Sequence, residues 1–319
     1  MNKIEVVHHM ESIKCPLCDS DKSITRYTIP DSLLGIPGLF VLVECAECGL
    51  LYQNPRPTRE SIGYYYPPEY NIYISPPWSN PNLLQKILHL YGIKKRWNFV
   101  LRHAPKRIGK RRILDIGCAT GVFLAAGDDS WQKIGVELSP QAAEQARYLF
   151  GLHVYTGMLE QAPLVGQKFD VITLWDVLEH LHDPLASLAY IRELLSPDGV
   201  CIIRVPNLSS WEAQFCGRYW GGLEQPRHLF IPDDRTIEQM LSRAGFSIIE
   251  SASLGGTYHV FMQSWKFWLR QHQYTGWKFK IALRLLDNII VRAILFPITW
   301  LVDRKFNKGS ITTIAVKSL

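Results

Sequence analysis

Four of the seven cysteines fall into two pairs of one spacing, Cys15-x2-Cys18 and Cys45-x2-Cys48. Each pair makes a tight knuckle that aims two thiolates at one ion, and four thiolates complete a tetrahedral Zn2+ shell. No position is left for water, so the ion would serve folding rather than catalysis. Two disulfides or four unrelated thiols are the alternatives, and disulfides are disfavoured in a reducing compartment. A second constellation follows the apolar run Ile113-Leu-Asp115-Ile. Gly117 lets the backbone pass close to a ligand, and Gly121 opens the next helix beside it. Glu137 stands twenty residues after Gly117, where a carboxylate can accept two hydrogen bonds from ribose hydroxyls. A dinucleotide pyrophosphate loop needs G-x-G-x-x-G, but positions 119 and 122 are Ala and Val. The turn therefore suits a nucleoside without a pyrophosphate.

These residues need a scaffold, and the chain supplies one by alternating apolar runs with helical patterns, the mark of a parallel sheet. Strands are predicted over 111–117, 133–138, 153–157, 169–176, 199–206, 246–254 and 311–319. Ser139-Pro140 and Asp183-Pro184 read as caps with a first-turn proline, starting helices to about Phe150 and Leu195. A further helix is expected over 233–244. The organisation expected is a small zinc ribbon over 1–60 and a Tyr/Pro connector with a basic helix over 61–110. A nucleoside-binding core follows over 111–261, then an amphipathic helical insertion over 262–308, and the last core strand over 309–319. The fold class expected is α/β, a Rossmann-like, mostly parallel seven-stranded sheet with helices on both faces. In the helix at 82–107, Leu84, Ile87, Leu88 and Tyr91 lie at helical spacing.

With the glycine turn and Glu137, the stretches FDVITLWDVLEHLHDP (169–184) and LLSPDGVCIIRVPN (194–207) complete an ordered set. The set resembles class I S-adenosylmethionine (SAM) dependent methyltransferases from about residue 95 to 254, and again at 311–319. That resemblance implies that Asp115, Gly117, Cys118 and Gly121 border the methionine half of SAM. It implies that Glu137, with Leu138 beside it, holds the ribose, and that Leu159 flanks the adenine. Trp175 would belong to the same pocket. The family often has an acid before the position of Leu159, where this chain has Met158. A narrower resemblance covers nearly the whole chain, to bacterial methyltransferases of sugar and cell-surface polysaccharide clusters. It rests on the four-Cys ribbon, on Tyr66-Pro-Pro-Glu-Tyr70 and on Pro226-Arg-His228-Leu-Phe-Ile-Pro. Tyr66 and Tyr70 would close the SAM pocket, or else pack a linker core. The acceptor implied is a sugar or lipid-linked glycan.

Methyl transfer to a hydroxyl is an in-line displacement that needs alignment and a base near the attack line. Candidates at strand ends are Asp176, Glu179, His180 and His182, with Glu224 and His228 beyond the fifth strand. His228, in the Gly/Pro-rich loop GGLEQPRHLFIP, is the expected base and His180 the second choice. A structural histidine bonded to a backbone carbonyl is the alternative for His228.

The net charge of +6 hides an asymmetry. Residues 82–112 carry ten Lys/Arg and no acid, and 262–319 carry ten Lys/Arg and two Asp, on an acidic remainder. Trp, Phe and spread cations over 262–308 read as an interfacial helix touching a membrane, with a lid or dimer helix as the alternative. Nucleic acid is the disfavoured partner, because the acidic remainder repels a phosphate backbone. With no apolar run of signal-peptide or spanning length, the expected location is the cytoplasm, peripheral on the inner membrane face. Other readings carried forward are a zinc-ribbon RNA methyltransferase and a small-molecule (quinone or natural-product) O-methyltransferase.

Overall fold

A computed structural model describes residues 9–67, 70, 83–255, 257–272, 277, 295, 297, 301 and 309–319. The first part of the chain gives β1 (Met10–Glu11), β2 (Ser23–Pro30), β3 (Leu39–Cys45), β4 (Leu51–Gln53) and β5 (Arg56–Pro57). Next come α1 (Leu83–His103), β6 (Arg111–Ile116), α2 (Val122–Ala125), β7 (Trp131–Glu137), α3 (Pro140–Phe150), β8 (His153–Thr156) and β9 (Phe169–Trp175). They are followed by α4 (Pro184–Leu194), β10 (Leu195–Pro206), α5 (Trp211–Cys216), β11 (Phe230–Ile231), α6 (Asp234–Arg243), β12 (Phe246–Ala252), α7 (Thr257–Gln271) and β13 (Ile311–Ser318).

Packing divides the chain into two compact units. One comprises Met1–Tyr70, Asn207–Thr236 and Gly256–Ser310, the other Asn71–Pro206, Ile237–Gly255 and Ile311–Leu319. We call them the cysteine unit and the sheet unit. The sheet unit holds seven strands in the order β12-β13-β10-β9-β6-β7-β8. β10, β9, β6, β7 and β8 run parallel, and β13 is antiparallel to both its neighbours. Both caps read from the sequence form: Ser139 Oγ accepts from the Ala142 N–H and Asp183 Oδ1 from the Ala186 N–H.

The core gathers Ile113, Val171, Val200 and Ile202 from the sheet with Ile93, Trp97 and Val100 of α1. Trp97 stacks on Phe123 at 5.0 Å and donates its indole N–H to the Phe123 carbonyl at 2.6 Å. Of the apolar residues at helical spacing in this helix, Ile87 and Tyr91 are more than half exposed. The inward face lies a turn later, at 93, 97 and 100, because Trp97 buries more apolar area than any residue of the earlier stripe.

In the cysteine unit, β2, β3 and β4 form an antiparallel sheet that a distant strand completes, in the order β11-β4-β3-β2. Phe230 lies opposite Tyr52 and Ile231 opposite Leu51. The segment 207–236, drawn into the core on sequence grounds, therefore packs with the cysteines. The insertion before β13 is helical over α7, whose inner side carries Thr257, Val260, Ser264 and Phe267. Most of 273–308, and the connector from 71 to 82, lie outside the described residues. Among the described residues, no helix is long and apolar enough to cross a membrane.

Candidate functional site

The parallel ladder brings most of the expected nucleoside-site residues to the carboxyl ends of adjacent strands. Asp115 lies one residue before the end of β6, Glu137 ends β7, and Trp175 ends β9, with Cys118 in the turn and Leu159 just beyond β8. Leu138 is exposed and Leu159 buried. The turn itself is tight. Gly117 has φ +70, and a Cβ there would stand 2.6 Å from Val177 Cγ2. Gly121 has φ +76, and a Cβ there would meet Leu152 Cδ1 at 2.5 Å and Ala146 Cβ at 2.9 Å. Packing of the turn against protein thus demands these glycines. Between them, Ala119 holds φ +47, a left-handed conformation that a non-glycine residue rarely takes.

Glu137 is buried and braces this turn. Its Oε2 accepts from the Ala119 N–H at 2.8 Å and its Oε1 from the Ser139 N–H at 2.8 Å. Burial raises its pKa above the ordinary value, against the pull of those N–H groups. Asp115 is enclosed more completely, and burial pushes it up to about 7. The Thr173 hydroxyl, donating at 2.6 Å, and the Arg96 charge pull it down, while Glu137 pushes it up.

Arg96 escaped the sequence analysis. Its guanidinium lies 5.2 Å over the Trp175 ring. Burial and the like charge of Arg204 bring it down to about 10, while Asp176 and Asp115 favour its charge. It therefore remains a cation at neutral pH. Arg204 pairs with Asp176 at 3.3 Å. The signal that could have found Arg96 is its place one residue before the inward Trp97, in a helix read as basic. His180 ends a 3-10 turn, Leu178–His180, in the same unit.

The cysteine unit holds the other candidates. The four Sγ atoms of Cys15, Cys18, Cys45 and Cys48 all lie within 4.8 Å of one another, with Cys15–Cys48 at 3.5 Å and Cys18–Cys45 at 3.4 Å. Four Zn–S bonds of about 2.3 Å imply S–S edges of roughly 3.8 Å, so the residues present fit one ion. All four are free thiols. Burial raises Cys48 to about 11 and Cys15 further. Burial also opposes ionisation of Cys45, but the N–H groups of Cys48 and Glu47 and two thiols bring it down to about 7.

His228 is buried, and its Nδ1 lies 2.8 Å from the Gly222 carbonyl. A carbonyl only accepts, so Nδ1 carries the proton, and in the neutral ring Nε2 holds the lone pair. Its neighbour Arg227 is wholly enclosed and forks onto Asp31 at 2.7 and 3.1 Å. Tyr70 donates to Glu224 at 2.7 Å, and Tyr66 packs edge-on against Tyr70 at 5.3 Å.

The methyltransferase-domain family model matches residues 92–251, half of the chain. The chain belongs to that family. The sheet of this methyltransferase domain has the class I SAM-binding fold. It superposes on the cyclase SpnF with a TM-score of 0.51 at 18% identity, covering 82% of this chain and 97% of that one, a likeness of fold alone. A ubiquinone biosynthesis O-methyltransferase from Haemophilus ducreyi is 29% identical over 141 residues, 41% of this chain and 59% of the relative. A tRNA U34 carboxymethyltransferase from Desulfotalea psychrophila is 26% identical, over 48% and 50%. The chain thus spans between half and three fifths of these relatives' length.

These comparisons correct the narrower resemblance. Relatives named ubiquinone biosynthesis O-methyltransferase recur across several bacteria, and they point away from the sugar and polysaccharide clusters. The physical reason lies in the motifs that carried the resemblance. Tyr70 binds Glu224, and Arg227 binds Asp31. The connector and loop motifs pack against one another in this chain, so they describe a layout rather than an acceptor.

Proposed function

We propose that the chain transfers a methyl group from SAM to a hydroxyl oxygen of a small aromatic or quinone-type acceptor. The observation that carries this is the Gly117–Gly121 turn braced by Glu137, in a domain whose recurrent relatives bear an O-methyltransferase name. When bound, SAM supplies a methyl carbon made electrophilic by the adjoining sulfonium. Asp115, Gly117, Cys118 and Gly121 line its methionine half in this proposal, with Arg96 as the cation for the carboxylate. Glu137 exchanges its backbone partners for ribose hydroxyls, and Leu138, Leu159 and Trp175 give apolar walls. His228 Nε2 would take the hydroxyl proton, the fixed Nδ1 proton holding the ring in that tautomer, while the methyl carbon exchanges its bond to sulfur for one to oxygen and S-adenosylhomocysteine leaves. His180 is the alternative base. The four cysteines hold one structural Zn2+.

A peripheral contact with anionic lipid belongs to the same proposal. Phe261 and Trp265 of α7 and Trp211 and Phe215 of α5 form a chain of ring contacts, with Phe215 70% exposed. Arg218, Lys266 and Arg270 flank them, and the single acid of α5 and α7, Glu212, is buried. Aromatic rings with cations and without exposed carboxylates match an anionic interface.

The test is transfer of labelled methyl from SAM to catechol and protocatechuic acid, with bulk tRNA in parallel. Label on a phenolic oxygen is expected. Label confined to tRNA would favour the second reading, an RNA methyltransferase, which the Desulfotalea relative supports. Calorimetry showing no binding of SAM or its demethylated product would remove both.

A further inference from the structure

The segment bearing His228 is tied to the N-terminal residues of its own unit at three points. β11 is an edge strand on β4, and the Gln53 N–H donates to the Leu229 carbonyl at 2.9 Å. Arg227 is enclosed between Asp31 and the Tyr65 carbonyl, 3.2 Å away. Farther on, Arg235, in the first turn of α6, sends Nη2 to the carbonyl of Cys48 at 2.7 Å. A Cβ on Gly49 would stand 2.4 Å from that nitrogen, so the glycine after the last cysteine makes room for the guanidinium.

The knuckle that orients the Cys48 carbonyl also launches β4. The Gly49 N–H donates to the Cys45 carbonyl at 2.9 Å, and the Cys45 N–H donates to the Leu50 carbonyl at 3.0 Å. Leu51 and Tyr52, next in the chain, are the residues that pair with β11. Opening the knuckle would turn the Cys48 carbonyl away from Arg235 and loosen the strand that receives β11. It would leave the buried strand end without its pairing and the Arg235 guanidinium without its carbonyl.

We infer that the metal-loaded cysteine knuckle positions the His228 segment, with Arg235 as a positioning residue that reads the state of the knuckle through the Cys48 carbonyl. The inference rests on the readings that the cysteines hold a metal and that His228 acts on the acceptor. It assigns the ion a task in the reaction beyond holding the ribbon together: order of residues 227–236 depends on its presence.

The experiment uses the full chain loaded with Zn2+, the same chain stripped with a chelator, and the loaded variants Arg235→Ala and Arg235→Lys. Metal content is measured by mass spectrometry, backbone order by hydrogen exchange, and the His228 ring by its carbon-bound proton resonance. Stripping should speed exchange over 227–236 at least tenfold while β9 is unchanged. Arg235→Ala should retain about one ion per chain, reproduce that loosening and shift the His228 resonance. Arg235→Lys, whose ammonium can still donate to the carbonyl, should restore both. Unchanged exchange over 227–236 on metal loss, or Arg235→Lys behaving as Arg235→Ala, overturns the inference while leaving the metal site standing. A chain that takes up neither Zn2+ nor Co2+ overturns the metal reading itself, and the inference with it.

Discussion

Asp115→Asn should stabilise the sheet unit, and more so at alkaline than at acid pH. Asp115 is 2% exposed, and burial lifts it from 3.8 to about 7. A carboxyl whose folded value lies above its unfolded value binds its proton more tightly in the native state. Its contribution to stability is then greatest below about pH 4 and is lost as pH rises toward 7. At 1.36 kcal/mol per pH unit the ionised form costs about 4 kcal/mol at pH 8 as a ceiling. Relaxation and water entry reduce such penalties, so about 2 kcal/mol is expected. The amide keeps the acceptor that Thr173 needs, at 2.6 Å, and removes the charge. Hydrogen exchange of β6 and β9, corrected for intrinsic rates, reads the unit directly, and 2 kcal/mol is roughly a thirtyfold gain in protection. The gain should shrink by about 0.6 kcal/mol between pH 8 and pH 5 and disappear at about pH 3, below the unfolded value. A variant less stable than the parent at pH 8, or a gain independent of pH, would refute the assignment of a costly buried charge.

Other outcomes follow from the same geometry. Gly121→Ala should cost about 2–4 kcal/mol, from φ +76 and the 2.5 Å approach to Leu152, and a fall in Tm with weakened SAM binding checks it. Arg96→Gln should weaken calorimetric binding of S-adenosylhomocysteine about tenfold, the worth of one hydrogen bond to a charged group, and unchanged affinity would remove Arg96 from the site. Cys45→Ser should abolish uptake of Co2+ and its thiolate absorption, since three ligands leave the shell open. Trp265→Ser with Phe215→Ser should cut sedimentation with anionic vesicles severalfold and leave binding to neutral vesicles as low as before.

Much of the sheet was legible because each buried strand is an apolar run closed by a recognisable cap or glycine. The register then places Asp115, Glu137 and Trp175 at adjacent strand ends with no further information. What was hidden depends on partners distant in sequence. β11 is two residues long, too short for any periodicity, and it exists because β4 offers an edge. Arg96 sits in a run of cations, Lys94-Lys95-Arg96, whose composition speaks of solvent. Only the packing of Trp97 on Phe123 turns that side of the helix inward. The Tyr70 and His228 motifs misled for a related reason, since their residues hold one another in place and do not identify an acceptor.

The left-handed residues draw these threads together. Among the described residues, the non-glycine positions with positive φ are Asp19, Ala119, Asp176 and Glu224. Asp19 follows the first cysteine pair, Ala119 lies in the SAM-family turn, Asp176 follows β9 and pairs with Arg204, and Glu224 stands in the His228 loop. Each such residue costs about 1–3 kcal/mol, and it persists only where its surroundings dictate the conformation. The surroundings are visible in three cases. The Asp19 N–H closes the knuckle onto the Cys15 carbonyl at 2.9 Å, the Ala119 N–H meets Glu137, and Glu224 takes the Tyr70 hydroxyl. Of the four, the Ala119 turn also gathers crowded glycines, Gly117 and Gly121, and the buried carboxylates Asp115 and Glu137. A fold built for stability alone would not place its costs there, and that coincidence supports the site more than any one motif does.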